Sequence, residues 1–183
     1  MNTLNHKNKV IFFGLIFTLA QHAFAGNFLE ITAEIESTGE CNISVSPSVL
    51  EFKQHPAPSH FLPNDAVEAI KLKLNYQCEG YETNVQPKIV VTGTPSNDAK
   101  LFLNADPKNP KGVGFMLKNG EVTNLSGFYS AGNTLSNGDN LLLPAGAKQG
   151  EVPLTVGFIR QAGNEAVTAG TAKASILLTV LMP

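Results

Sequence analysis

The sequence predicts an all-β domain, a single antiparallel sandwich of immunoglobulin type. Three observations carry that expectation. Apolar residues recur at every second position in about ten short stretches, the period of a half-buried strand rather than of a helix. Clusters such as "TPSND", "DPKNPKG" and "LSNGD" separate the stretches, and these are the residues that make turns. Helical periodicity is almost absent, and no internal repeat interrupts the pattern. An ordinary antibody-like domain is not expected, because the chain has no Trp to fill strand C.

Residues 1–25 stand apart from that pattern. Lys7 and Lys9 precede the apolar run 10–20, and "AFA" ends at Ala25. A positive start, a short apolar centre and an A-x-A site describe a secretory signal peptide. The apolar run is well short of the roughly 20 residues that span a bilayer, which argues against a membrane anchor. The mature chain is therefore expected to begin at Gly26, with about 158 residues, enough for one domain with a real core.

The first expected strand, 28–35, alternates Leu29, Ile31, Ala33 and Ile35 with Glu30, Thr32 and Glu34. Next come 41–45, where Cys41 shares a face with Ile43 and Val45, and a short run at 49–52. In 69–78, Cys78 shares a face with Ile70, Leu72, Leu74 and Tyr76. Two cysteines in an exported chain most simply make one disulfide, and both of these point toward one core. Strands are also expected at 88–92, 101–103, 113–117 and 140–143. In 152–159, Val152, Leu154, Val156 and Phe158 face one way; Pro153, which has no backbone donor, calls for a strand start or an edge. The last strand, 171–182, puts Ala172, Ala174, Ile176, Leu178, Val180 and Met182 on one face. It is an apolar strand, and apolar strand edges are usually covered or charged.

Composition excludes several functions. Without Lys7 and Lys9 the mature chain has 11 basic and 15 acidic residues, a net charge of about −4, and no basic stripe for nucleic acid. There is no G-x-S-x-G elbow, no H-E-x-x-H and no phosphate loop, so no enzyme and no cofactor are expected. A zinc site would need two ligands besides the cysteines, and only His55 and His60 remain, in a proline-rich loop; no metal is expected. "NIS" at Asn42 and "NLS" at Asn124 match the glycosylation triplet, which is common by chance.

Taken in order, several features give the chain its resemblance to a known family. A signal peptide leads into a short alternating extension; Cys41 follows it, and Cys78 closes the strand "LKLNYQC". Gly170 stands 14th from the C-terminus, and alternating apolar residues run from there to the penultimate Met182. "GTAKA" and the internal "GVGFML" share the same look. The mature chain resembles a fimbrial (pilus) subunit of the chaperone–usher pathway, similar to type 1 and P pilins. That resemblance implies an incomplete immunoglobulin-like sandwich, completed by a donated strand. It divides the chain into a signal peptide (1–25), a donor-strand extension (26–36) and the pilin domain (37–183).

The resemblance further implies that Ile176, Leu178, Val180 and Met182, with Gly170, Ala172 and Ala174 before them, flank an open groove. A periplasmic pilus chaperone would fill the groove first. The neighbouring subunit's extension would then replace the chaperone strand at an outer-membrane usher. Leu29, Ile31, Ala33 and Ile35 would be the groups this subunit offers its neighbour. The chain would be exported through the periplasm to a fimbrium on the cell surface, with a structural role supporting adhesion. A single-domain fimbrial adhesin, a tip adaptor or a secreted immunoglobulin-like domain of another system are the alternatives. Two positions depart from the family habit: Met182 replaces an aromatic residue, and Ala33 replaces a glycine. The energetics agree with an open groove. Four large aliphatic side chains left unburied forfeit roughly 6–12 kcal/mol, comparable to the whole stability of a typical domain.

Overall fold

The computed structural model describes residues 39–80 and 85–182. The signal peptide, the expected strand at 28–35 and the residues Leu29, Ile31, Ala33 and Ile35 lie outside the described residues. Eight strands follow in order: β1 (Glu40–Ser46), β2 (Ala66–Glu79), β3 (Lys88–Gly93), β4 (Val113–Asn119), β5 (Asn133–Leu135), β6 (Asn140–Leu142), β7 (Gln149–Arg160) and β8 (Ile176–Leu181). A single 3₁₀ turn at Pro58–His60 is the helical content among the described residues. One sheet has the order β1-β2-β7-β4-β5 and the other β6-β3-β8, and every pairing is antiparallel.

The main core fills the space between the sheets. Leu72, Leu74, Leu154, Val156 and Leu117 of the larger sheet meet Ile89, Val91 and Leu141 of the smaller one. Cys41 and Cys78 lie directly opposite each other on β1 and β2 and form a disulfide within this core. It ties an edge strand to its neighbour across 37 positions of sequence.

The outer face of the larger sheet carries a second, smaller core of Ala66, Leu101, Met116, Phe128 and Ile159. β7 is therefore buried on both faces from Leu154 to Gly157, and it occupies the centre of its sheet. Pro153 sits within this central strand rather than at its start or at a sheet edge. The ladder to β4 begins only at Leu154, opposite Asn119, so no β4 residue needs a donor from Pro153. The Gly120 carbonyl instead accepts the Thr155 hydroxyl, while the Gly120 N–H donates to the Pro153 carbonyl.

Two expected strands take other forms. Residues 49–52 join no ladder among the described residues: Leu50 and Phe52 pack on the main core, but no described strand lies beside them. The following main chain is held instead by the Glu68 carboxylate, which accepts the N–H groups of Lys53 and Gln54. At 101–103 only Phe102 bridges, pairing with both Pro95 and Phe115. Leu101 and Phe102 are buried in different cores, so this segment crosses between layers and cannot continue as a strand. The sequence also gave no sign of β5, whose three residues are too few for a period to register.

Lys118 is fully buried beneath the loop that carries Phe128 and Tyr129. Its ammonium donates to the Tyr129 carbonyl and the Thr134 hydroxyl and lies 5.6 Å from the Phe128 ring centre, and no described carboxylate forms an ion pair with it. Burial, with a smaller contribution from Lys100, pushes its pKa down to about 8. Tyr129 stacks under Lys100 and donates to Asp98, and burial with that hydrogen bond pushes its pKa up to about 12.

Two outcomes follow from this architecture. Cys41→Ser should lower stability by about 2–5 kcal/mol in denaturant unfolding, because the loop constraint on the unfolded chain is lost. The lysine gives a pH dependence of definite sign. The folded state gives up the Lys118 proton near pH 8, the unfolded chain only near 10.5, so the unfolded state binds more protons between those values. Stability should therefore rise as pH climbs from 8 to 10, and Tyr129 opposes the rise above pH 10. Chemical denaturation at several pH values checks this, with Lys118→Met expected to flatten the rise.

Candidate functional site: an open strand edge

β8 pairs with β3 along one side, with Leu178 opposite Val91 and Val180 opposite Ile89. No described strand pairs with its other side. Hydrogen bonds elsewhere fix which groups that side presents. The Val91 N–H donates to Asp139 and its carbonyl accepts from Gly138, so Val91 turns its main chain toward β6. Val90 and Thr92 then turn theirs toward β8 and pair with Thr179 and Leu177. By alternation, Ile176, Leu178 and Val180 aim their N–H and C=O groups outward, at the free edge.

The side chains of those same residues point inward. Ala174, Ile176, Leu178, Val180 and Met182 are half-buried and pack against the main core. Leu177 and Leu181, at 63% and 42% exposure, lie on the outer face of the sheet. Facing this rim, at the edge of the larger sheet, β1 contributes Ile43 and Val45, and the segment after it Leu50 and Phe52, all half-buried. The two rims therefore belong to different sheets, and each is an edge. Residues deeper between them, such as Leu74, Ile89 and Val91, are fully buried.

The regular strand begins at Ile176 rather than at 171, because its partner β3 ends at Gly93, opposite Ile176. Residues 171–175 nevertheless keep the alternating exposure of a strand, with Ala172 and Ala174 half-buried. Gly170 is explained by crowding. A Cβ there would stand 2.8 Å from the Pro110 nitrogen and 3.0 Å from the Lys108 carbonyl, both backbone atoms that cannot step aside.

Compared with the strand order of a constant-type immunoglobulin domain, β1-β2-β7-β4 corresponds to strands A, B, E and D. β3 and β8 correspond to C and F. Strand G, which would lie beside β8, has no counterpart among the described residues. Among the described residues no three acidic, histidine or cysteine side chains gather to hold a metal. What the site offers is a length of main chain with no described partner above a half-covered apolar floor.

The sequence model of the family "Fimbrial protein" matches residues 29–181. The chain belongs to that family, whose members are structural rather than enzymatic proteins. No curated protein matches. Among solved structures the chain is similar to the P pilus rod subunit PapA, with 14% identity over 85% of this chain and 99% of that one, at a TM-score of 0.55. It is similar also to the subunit of a chaperone–usher pilus studied for its rod uncoiling, with 12% identity over 86% and 95% and a TM-score of 0.54. These likenesses establish the immunoglobulin-like fold of pilin subunits. A third match, at 17% identity and a TM-score of 0.46, is the CupB6 tip adhesin from Pseudomonas aeruginosa; it covers 64% of this chain, which spans 31% of that protein.

Of the sequence-derived site residues, the structure brings Ala172, Ala174, Ile176, Leu178, Val180 and Met182 onto one rim and joins Cys41 to Cys78. Gly170 lies apart, exposed and against the 108–110 loop. Gly170→Ala should cost about 1–3 kcal/mol, the range for forcing extra atoms into a packed place, and lower the melting temperature accordingly.

Proposed function

We propose that this chain is a structural subunit of a cell-surface fimbrium and that it completes its fold with a strand received from another chain. The free edge of β8, with its outward main chain and inward apolar side chains, supports this most directly. A received strand would occupy the place of strand G, pair with β8 and cover Ile176, Leu178, Val180 and Met182. This is strand addition to an exposed sheet edge, in which main-chain hydrogen bonds give affinity and alternate side chains give specificity.

In the periplasm the strand would come from a chaperone. In the fibre it would come from the N-terminal extension of a neighbouring subunit, through Leu29, Ile31, Ala33 and Ile35. The exchange would take place at an outer-membrane usher during passage to the surface. Because each subunit gives at one place and receives at another, the contact is head-to-tail and does not close, which makes a filament.

The test uses a variant lacking residues 26–36 and a synthetic peptide of residues 26–36. At a peptide concentration about a hundred-fold above Kd, the melting temperature should rise by about 5–10 °C. A variant that melts high and unchanged with or without peptide would mean a closed fold and would overturn the reading. A low melting temperature that the peptide fails to raise would assign the donated strand to a different subunit.

A further inference from the structure

Resting on the donated-strand reading, we propose that Asn104 is a positioning residue for strand acceptance, one that extends the open edge beyond β8 to Ala174 and Ala172. β3 ends at Gly93, so nothing in the smaller sheet can continue the ladder along 171–175. Asn104 takes over at that point. Its N–H donates to the Lys173 carbonyl, its Oδ1 accepts the Ser175 N–H, and its Nδ2 approaches the Ser175 hydroxyl at 3.4 Å. One residue thereby does the work of a strand partner, half with main chain and half with side chain.

The bracket that holds Asn104 is itself built from hydrogen bonds. Asn109 Nδ2 donates to the Asn104 carbonyl, and Asp106 Oδ1 accepts the Lys108 N–H to close the intervening turn. Beyond it, Lys111 and Thr168 exchange two hydrogen bonds, and Gly170 lies tight against Pro110. At the other end, Gly93 approaches so near that a Cβ would stand 2.9 Å from the Ser175 carbonyl.

The consequence is directional. Lys173 and Ser175 turn their main chain inward to Asn104, so Ala174 between them turns its N–H and C=O outward, in line with Ile176 and Leu178. Ala172 follows by the same alternation, and its side chain is half-buried as Ala174's is. A received strand can then pair with the chain from 172 rather than from 176. Because Ala172 and Ala174 are small, that end of the edge leaves room for larger side chains on the incoming strand.

Amide hydrogen exchange on the full mature chain, with and without the 26–36 peptide, tests this. In the wild type, peptide should slow exchange at Ala172 and Ala174 as well as at Ile176, Leu178 and Val180. Asn104→Ala should lose the slowing at the two alanines, keep it on β8, and release peptide about ten-fold faster, as expected for a net loss of one to two hydrogen bonds. Asn104→Asp keeps an acceptor for the Ser175 N–H and should restore both. Peptide protection on β8 that leaves Ala172 and Ala174 unprotected in the wild type would overturn the proposal, whatever the variants do. So would an Asn104→Ala profile identical to the wild type. Absence of protection anywhere on β8 would instead show that residues 26–36 are not the strand this edge receives, and this inference would fall with that assignment.

Discussion

A β-strand has two hydrogen-bonding edges, and among the described residues β8 uses one. The register with β3 commits the main chain of Leu177, Thr179 and Leu181 to the sheet and leaves that of Ile176, Leu178 and Val180 facing out. The period of two also sends the side chains of these three residues toward the core. Unpaired polar groups and half-covered apolar groups therefore sit on the same residues. Water can satisfy the first but not the second, and a neighbouring side chain the second but not the first. Another extended strand with apolar residues at alternate positions would satisfy both.

An edge of this kind is useful only if the rest of the domain stands without it. The larger sheet provides that support: its central strand β7 is buried on both faces, and a second core lies on the side away from the open rim. The disulfide braces the opposite rim by locking β1 to β2 at a directly facing pair. Lys118 runs against this trend, since an unpaired buried ammonium costs stability at neutral pH. Its place is the outer core, behind the sheet that carries β1, so its cost does not fall on the open edge.

Much of this was legible in the sequence, and the exceptions have physical causes. Period-two alternation located β1, β2, β3, β4, β6, β7 and β8, and it also suggested a strand at 49–52, where Leu50 and Phe52 meet the core but no strand forms. Alternation reports which side chains meet the core; it cannot report whether a neighbouring strand is present to make a ladder. The same limit explains why β8 begins at Ile176 although alternation begins earlier: the end of β3, 83 positions away in sequence, sets the boundary. Pro153 was misplaced for a related reason, because its tolerance depends on where β4 stops. Asn104 gave no signal at all, since a side chain substituting for a strand partner looks like any loop asparagine. Lys118 was invisible because its burial comes from a loop folding back over the strand.

The open edge that would serve the proposed assembly would also make the chain hazardous alone. Leu177 and Leu181 are exposed on the outer face of the very strand whose edge is unpaired. Exposed, apolar, unpaired strands template edge-to-edge association. On the strand-donation reading, the free subunit is therefore under two pressures that differ in specificity. Any strand can pair with the free main chain of β8, but only one with apolar residues at alternate positions and the right spacing can fill the floor beneath Ile176, Leu178, Val180 and Met182. A keeper strand from a chaperone would relieve the first pressure without making a fibre. On the same reading a neighbour's extension would replace it only by fitting the floor better, so the incomplete core, rather than the hydrogen-bonded edge, would decide which strand stays.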